Sequence, residues 1–475
     1  MTIERLDVGG TPATLFAPAG GPPGPVVVVA HGFAGSQQLM QPFALTLARD
    51  GYRVLTFDFP GHGRNELPLQ GGLTDDARRS QELLTALDGV VAAGRSLSGG
   101  DGRLALLGHS MASDIVIQYA RAHPEIAATV AVSPFARDVE AGSPRNLLVV
   151  IGSLEPPVLL AEGRRIVGMA SGGTPDPGTT YGRFADGTAR RLALAPGVEH
   201  IGVLYSPTSM REARDWLDTT FQRSGSGIVE DRGMSLGLLF GGLVLIAPAL
   251  SRMLPVVAEP AQGAGLHWHR LLPLAIAPAL LTPLLLLPLP TGYLPILLGD
   301  YLAAHFLVYG LLTGLGLLWA GVGRAGPASL ARLLVATALV TAYATLVLGA
   351  PLDRYLSAWW PTAPRIPLIL ALLCGTLPYF VADEWLTRGR GAGSGRWAVT
   401  KLCFLLSLGI AVALSPERLF FLVVIVPAIV ILFVAYGVLA DCAYRRTGHP
   451  LVGAVANAMA LAWAIGVTFP VVGGS

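Results

Sequence analysis

The sequence predicts an α/β domain with a mainly parallel sheet, followed by an all-α bundle of transmembrane helices. The first half alternates short apolar runs with helical patterns, and the second half consists of long runs without charge. Of the 475 residues, 52% are hydrophobic and only 13% are charged, which is too apolar for a purely water-soluble protein. The composition changes near residue 230. We therefore expect an α/β domain at 1–223, a linker at 224–233 and a transmembrane domain at 234–475.

Turn residues divide the first half into strands and helices. The run "PVVVVAHG" at 25–32 is apolar throughout, and "LTDDARRSQELLTALDGVVAAG" at 73–94 has the spacing of a long amphipathic helix. Apolar strands that alternate with helices indicate a parallel sheet covered on both faces. In chain order we predict strands 13–19 and 25–32, helix 37–50, a strand with its exit turn at 52–63, helix 73–94, strand 103–108, helix 111–122, strands 128–133 and 146–152, helix 158–169, strand 190–197 and helix 208–222.

A serine lies at the junction of one predicted strand and the next helix, in "GHSMA" at 108–112. A sharp strand-to-helix turn presents a hydroxyl above the sheet, and the helix N-terminus favours negative charge beside it. Such a turn needs small neighbours, and Gly108 and Ala112 flank Ser110. Serine also commonly caps helix N-termini. The pentapeptide alone leaves both roles open for Ser110.

Three other stretches favour the nucleophile. The triplet His31-Gly32-Phe33 follows an apolar strand, where the backbone N–H of Phe33 can join that of Met111 in an oxyanion hole. Glu155 lies three residues beyond Gly152, in the loop after a late strand, and His200 follows the last strand. Nucleophile, acid and histidine thus occur in this order, each at the carboxyl end of a strand, where reactive groups gather in such sheets.

Residues 1–223 resemble the α/β-hydrolase superfamily. The resemblance includes "FDFPGHGRN" at 57–65, which is similar to the Asp-x-Pro-Gly-His-Gly turn of that superfamily. It implies that Ser110 is the nucleophile, that His200 is the general base and then the acid, and that Glu155 orients His200. It also implies that the oxyanion is bound by the N–H groups of Phe33 and Met111.

The sequence departs from the superfamily pattern at two positions. Ala112 stands where glycine is usual, and the acid is Glu155 rather than aspartate. Asp138, after the preceding strand, is the competing acid, and we favour Glu155 for its offset from Gly152. The other histidines of this region are interpreted as structural: His31 in the oxyanion loop, His62 in a turn and His109 beside the nucleophile.

The segment between the strands at 128–133 and 146–152 is too short for a large lid. We therefore expect an open active site, or one covered by something outside this domain. The sequence shows no clustered basic face with interleaved aromatic residues, so we do not expect nucleic acid binding. It also shows no spacing typical of a metal site. The reaction implied by the resemblance needs no cofactor. All three cysteines lie in the second half, at Cys374, Cys403 and Cys442.

The second half contains eight runs about as long as a membrane span requires. Arginine-rich loops alternate with poorer ones, and arginine-rich loops are typically cytoplasmic. Eight spans would place the α/β domain outside, whereas seven would place it in the cytoplasm. The N-terminus does not resemble a signal peptide, so we favour a cytoplasmic domain on a bacterial-type inner membrane. The candidate spans are 234–253, 271–290, 294–320, 331–350, 366–386, 399–416, 419–440 and 450–471.

Four ionisable residues interrupt the apolar runs: Asp300, His305, Asp383 and Glu384. Burying such groups in a membrane is costly, which favours a functional polar site or a path for protons or ions. Alternatively, they make helix–helix contacts or lie at the membrane interface near arginines. The sequence leaves both interpretations open.

The function these patterns favour is a membrane-tethered serine hydrolase that acts on an ester, a thioester or a related acyl bond. The tether suggests a lipid-like substrate, with membrane lipids as the surrounding partner. An acyltransferase would use the same triad. A transport or sensing protein with a regulatory hydrolase-like domain is the alternative from another class.

Overall fold

The computed structural model describes residues 1–71, 75–136, 139–225, 227–290, 292–322 and 326–473. The chain forms two compact units. The sheet unit comprises Met1–Leu236, Asp353–Ala358 and Pro470–Ser475. The helical unit comprises Gly237–Leu352 and Trp359–Phe469.

Within the described residues, nine strands form one sheet in the order β1-β2-β4-β3-β5-β6-β7-β9-β8. The pairs from β4 through β9 are parallel, and the pairs β1–β2, β2–β4 and β8–β9 are antiparallel. This mainly parallel sheet confirms the predicted fold class. The strands are β1 (Thr2–Val8), β2 (Thr11–Ala17), β3 (Gly24–Ala30), β4 (Arg53–Phe57), β5 (Gly100–His109), β6 (Ile126–Val132), β7 (Leu147–Gly152), β8 (Thr180–Tyr181) and β9 (Arg190–Ala195).

The central strands are buried because helices cover both faces of the sheet. All seven residues of β3 and all six of β7 are buried, as expected for parallel strands that read as continuous apolar runs. The helices of the sheet unit are α1 (Gln41–Arg49), α2 (Asp76–Arg95), α3 (Met111–Ala122), α4 (Pro157–Ser171) and α5 (Pro207–Phe221).

Two strands were not predicted. β1 is an exposed edge strand of sequence "TIERLDV", and its charged residues hide it from a search for apolar runs. β8 has only two residues and pairs with the edge of β9, so it has no periodicity to detect. Both strands add antiparallel edges and leave the parallel centre unchanged.

Two segments distant in sequence, Pro470–Ser475 and Asp353–Ala358, complete the sheet unit. The N–H of Val471 donates to Gly61 O, and the N–H of Leu69 donates to Val471 O, each at 2.9 Å. Asp353, the first residue of the segment Asp353–Ala358, pairs with Arg64 at 2.6 Å. Local sequence patterns carry no information on such long-range pairing.

In the described part of the chain, eight helical segments are long and apolar enough to cross a membrane, from Gly233–Ser251 to Pro450–Thr468. They agree with the eight predicted runs, although the segment Leu330–Tyr355 is interrupted by a π-helical turn at Tyr343–Val347. The helices are α6 (Gly233–Leu245), α7 (Ala247–Ser251), α8 (Trp268–Leu286), α9 (Gly299–Trp319), α10 (Leu330–Ala342), α11 (Gly349–Tyr355), α12 (Arg365–Thr387), α13 (Arg396–Leu414), α14 (Pro416–Leu419), α15 (Phe421–Thr447) and α16 (Pro450–Thr468).

Candidate active site

Ser110 lies in a tight turn between the last residue of β5 and the first residue of α3. Its φ is 53° and its ψ is −118°, a region disfavoured for residues with a side chain. A Cβ on Gly108 would lie 2.5 Å from the carbonyl oxygen of Ala112, so only glycine permits this close approach. The Ser110 side chain makes no capping hydrogen bond to α3. The structure therefore gives the hydroxyl a partner other than the helix.

That partner is His200. His200 Nε2 lies 2.9 Å from Ser110 Oγ, and His200 Nδ1 lies 2.8 Å from Glu155 Oε2. Because a carboxylate only accepts, Nδ1–H donates to Glu155 and Nε2 is left to accept the serine proton. Both His200 and Glu155 are buried. Three residues predicted from separate loops thus form one chain of hydrogen bonds, the arrangement that activates a hydroxyl nucleophile.

The side chain of Glu155 is longer than that of the usual aspartate, and its second carboxylate oxygen is also held in place. Glu155 Oε1 accepts hydrogen bonds from Ser133 Oγ at 2.6 Å and from the N–H of Gly152 at 2.8 Å. The carboxylate therefore has donors on both oxygens. The competing acid, Asp138, lies outside the described residues. Ser133 was missed by the sequence analysis, and its only signal was its position at the end of a predicted strand.

The loop after β3 passes directly beside the nucleophile. A Cβ on Gly32 would lie 2.9 Å from Ser110 Cβ and 3.0 Å from His109 O. Phe33 follows in this loop. Met111 is the first residue of α3, and the first N–H groups of a helix have no partner within the helix. The two predicted oxyanion donors thus belong to backbone segments that flank Ser110.

His31 fixes this loop against the next strand end. Its Nδ1 lies 2.8 Å from Gly32 O, and its Nε2 accepts the N–H of Phe59 at 3.1 Å. Because Nε2 accepts, His31 is the neutral tautomer with its proton on Nδ1. Burial lowers the pKa of His31 below its ordinary value. The histidine therefore stays neutral and acts as a bridge between two loops.

Comparison with known proteins identifies the family of the sheet unit. The profile of the family described as serine aminopeptidase, S33, matches residues 21–159. An uncharacterized protein of Mycobacterium tuberculosis, Rv2307c, is 31% identical over 218 residues, which cover 42% of this chain and 70% of that protein. The chain belongs to this α/β-hydrolase family.

Two solved structures are similar to somewhat less than half of the chain. A CIB-like hydrolase from Thermoplasma acidophilum is 19% identical and covers 46% of this chain and 97% of its own, with a TM-score of 0.34. The protein TT1662 from Thermus thermophilus is also 19% identical and covers 47% of this chain and 99% of its own, with a TM-score of 0.36. Both matches span about half of the α/β-hydrolase described here.

Replacing Gly32 by alanine is predicted to lower kcat by about 10²-fold, because the new methyl group would displace the oxyanion loop from Ser110 and loss of one oxyanion donor has an effect of this order. The measurement is steady-state hydrolysis of a p-nitrophenyl ester. Gly89→Ala is the matched control, since a Cβ at Gly89 in α2 meets nothing within 4 Å. Equal kcat for Gly32→Ala and wild type would contradict the placement of the loop.

His109 packs against the loop that carries His200. Its Nε2 lies 3.0 Å from His200 O, and its side chain is buried. Since a carbonyl only accepts, Nε2 carries the proton. Burial, reinforced by the neighbouring His200, lowers the pKa of His109 well below its ordinary value of 6.5. His109 is therefore neutral in the folded protein and holds the main chain of His200 in place.

Buried neutral histidines predict a loss of stability in acid. The pKa values of His31 and His109 are lowered by folding, so the unfolded chain takes up protons that the folded chain does not. Stability is then full above pH 6.5 and falls as the pH decreases, by up to about 1.4 kcal/mol per pH unit for each histidine. The unfolding midpoint of the sheet unit should therefore fall less steeply with decreasing pH in His109→Gln than in wild type. An equal slope in this variant and in wild type would contradict the interpretation.

In the helical unit, the four predicted ionisable residues are buried. Asp383 pairs with Lys401 at 2.5 Å, and Glu384 pairs with Arg388 at 2.9 Å. Lys401 is the only lysine of the chain, and the sequence analysis did not name it as a partner.

Asp300 and His305 have a common neighbour on α9. Asp300 Oδ1 accepts the N–H of Tyr301 at 2.7 Å, and His305 Nδ1 lies 3.4 Å from the hydroxyl of Tyr301. The described residues contain no group of three or more His, Cys, Asp or Glu side chains suited to a metal ion.

Proposed function

We propose that this chain is a membrane-tethered serine hydrolase that cleaves a carboxylic ester, a thioester or a related acyl bond through an acyl-enzyme on Ser110. One observation carries the proposal. Ser110 Oγ, His200 and Glu155 form a continuous chain of hydrogen bonds of 2.9 and 2.8 Å at the carboxyl edge of the sheet. Family membership supports the same reaction class.

Acylation begins when His200 Nε2 takes the proton of Ser110 as Oγ attacks the substrate carbonyl carbon. The electron pair of the carbonyl bond moves to oxygen, and the N–H groups of Phe33 and Met111 stabilise the oxyanion. Glu155 remains ionised and stabilises the imidazolium that forms on His200. Each of these interactions is strongest in the transition state, which is what accelerates a reaction.

The tetrahedral intermediate then breaks down. His200 returns its proton to the leaving oxygen or sulfur atom, and the acyl group stays on Ser110. Water enters, loses a proton to His200 and attacks the acyl carbon. The bond between that carbon and Ser110 Oγ then breaks, the carboxylic acid leaves, and His200 returns the proton to Oγ. This sequence uses only side chains and backbone groups of the chain itself. If another alcohol or thiol replaced water in this last step, the same groups would carry out acyl transfer.

The eight apolar helical segments support the tether. We propose residues 1–223 as the hydrolase domain, 224–233 as a linker and 234–475 as the transmembrane domain. With seven of these segments crossing the membrane, the arginine-rich loops and the hydrolase domain lie on the same side, and we propose that this side is the cytoplasm. A catalytic domain held at a membrane has its highest local concentration of substrate when that substrate is lipid-like.

Substrate class is tested with a panel of chromogenic substrates and the full-length protein. The panel contains p-nitrophenyl esters of increasing chain length and amino-acyl p-nitroanilides, the latter because the family profile is described as an aminopeptidase. The proposal predicts ester hydrolysis that rises with chain length. Faster cleavage of the anilides than of every ester would assign the chain to peptide hydrolysis instead.

A transport or sensing role is the second candidate, favoured by the buried Asp383–Lys401 pair. Both members of this pair have a partner of opposite charge, which suits a structural role as well as a transport role. Proton or ion flux across the membrane of proteoliposomes separates the transport role from the hydrolase, since Ser110→Ala would leave transport intact and remove hydrolysis.

A further inference from the structure

A serine at the end of β6 adopts a backbone conformation that suits glycine. Ser133 directly follows β6, has a φ of 52° and is 1% exposed. Glycine enters this left-handed region freely, whereas residues with a Cβ are disfavoured there. Such a residue persists only where its surroundings hold it, and these positions cluster at functional sites. The serine hydroxyl is the feature that glycine would lack.

The hydroxyl of Ser133 donates to Glu155 Oε1 at 2.6 Å. The N–H of Ser133 donates to Val150 O at 2.7 Å, which ties the serine to β7, the strand that leads to Glu155. The N–H of Gly152 donates to the same carboxylate oxygen at 2.8 Å. The other oxygen, Oε2, faces His200 Nδ1 at 2.8 Å. Ser133 and His200 thus hold the carboxylate from opposite sides.

Glutamate has one more rotatable bond than aspartate, and fixing each side-chain rotor has an entropic cost. A second side-chain anchor removes that freedom before substrate arrives. We propose that Ser133 is a positioning residue that fixes the Glu155 carboxylate so that it orients His200. This inference rests on the proposed function. It assigns a role to the hydroxyl and to the strained backbone together.

The role predicts a specific kinetic signature. Ser133 contacts Glu155 and acts through it, so its loss should lower kcat and leave KM nearly unchanged. A residue that bound the substrate directly would raise KM instead.

The test compares Ser133→Gly and Ser133→Ala with wild type in the full-length protein, using a p-nitrophenyl ester. Ser133→Gly removes the hydroxyl and also relieves the backbone, so it should unfold at no lower temperature than wild type. We expect kcat to fall about tenfold in both variants, the effect of one charge-assisted hydrogen bond. KM should change by less than about twofold.

The same Ser133→Gly change is made in a Glu155→Gln background. There it should alter kcat by less than about twofold, because its effect runs through the carboxylate. Wild-type kcat in Ser133→Gly, or an equal loss in both backgrounds, would overturn the inference. Ser110→Ala is measured alongside. Full activity of Ser110→Ala would overturn the proposed function itself, whereas an inactive Ser110→Ala with an unaffected Ser133→Gly would overturn only the role of Ser133.

Discussion

Ser110→Ala is expected to lower kcat for ester hydrolysis by about 10⁴-fold or more, the size of effect seen when a triad nucleophile is removed. Alanine cannot form the covalent bond to the acyl group, and His200 then has no hydroxyl to deprotonate. The fold should be retained, because the Ser110 hydroxyl makes no capping hydrogen bond to α3. The measurement is kcat with the full-length protein, together with its unfolding midpoint.

Ser209→Ala is the matched control for this change. Ser209 is a buried serine on α5 whose hydroxyl has no hydrogen-bond partner among the described residues. Removing an unsatisfied hydroxyl is nearly neutral or slightly stabilising, so kcat should equal that of wild type. A similar loss in both variants would show that the effect of Ser110→Ala is structural.

Asp383→Asn is expected to destabilise the helical unit by about 3–5 kcal/mol, because it leaves the Lys401 ammonium buried without its partner. Both side chains of the pair are 5% exposed, so water cannot replace the lost carboxylate. The unfolding midpoint should fall by about 10 °C for a unit of this size. A thiol-reactive dye follows unfolding in a background with Cys374→Ser and Cys442→Ser, since these two cysteines are exposed and partly exposed, whereas Cys403, on the same helix as Lys401, is buried.

Two further variants decide between loss of the pair and loss of a charge. Adding Lys401→Met to Asp383→Asn should restore most of the unfolding midpoint, because removing both charges leaves no unpaired charge buried. Glu417→Gln, at an exposed acid of α14, should leave it unchanged. If the double variant were as unstable as Asp383→Asn alone, the buried pair would not be the cause.

The sequence was sufficient for the centre of the sheet because its parallel strands are buried on both faces. Burial on both faces produces runs such as "PVVVVA", which need no periodicity to be recognised. The exposed strand β1 lacked that signal. Its first four residues are all exposed and two of its last three are partly exposed, and its pairing with β2 depends on a neighbour rather than on its own composition.

The triad candidates were predictable because each follows a strand, and the carboxyl ends of parallel strands meet at one edge. The contacts that hold these residues in place were not predictable from the sequence. The φ of Ser133 and its contact with Glu155 depend on the register between β6 and β7. The partner of Asp383 lies on another helix, 18 residues along the chain. Such contacts are set by packing, which local patterns do not encode.

Fluorophosphonate labelling followed by peptide mapping measures whether Ser110 is an activated nucleophile. The reagent reacts with a serine only where a base has activated it, so it reports the working Ser110–His200–Glu155 chain without knowledge of the substrate. We expect a single adduct on Ser110, lost in Ser110→Ala and retained in Ser209→Ala. No adduct on the folded wild-type protein, or an adduct on a different residue, would contradict it.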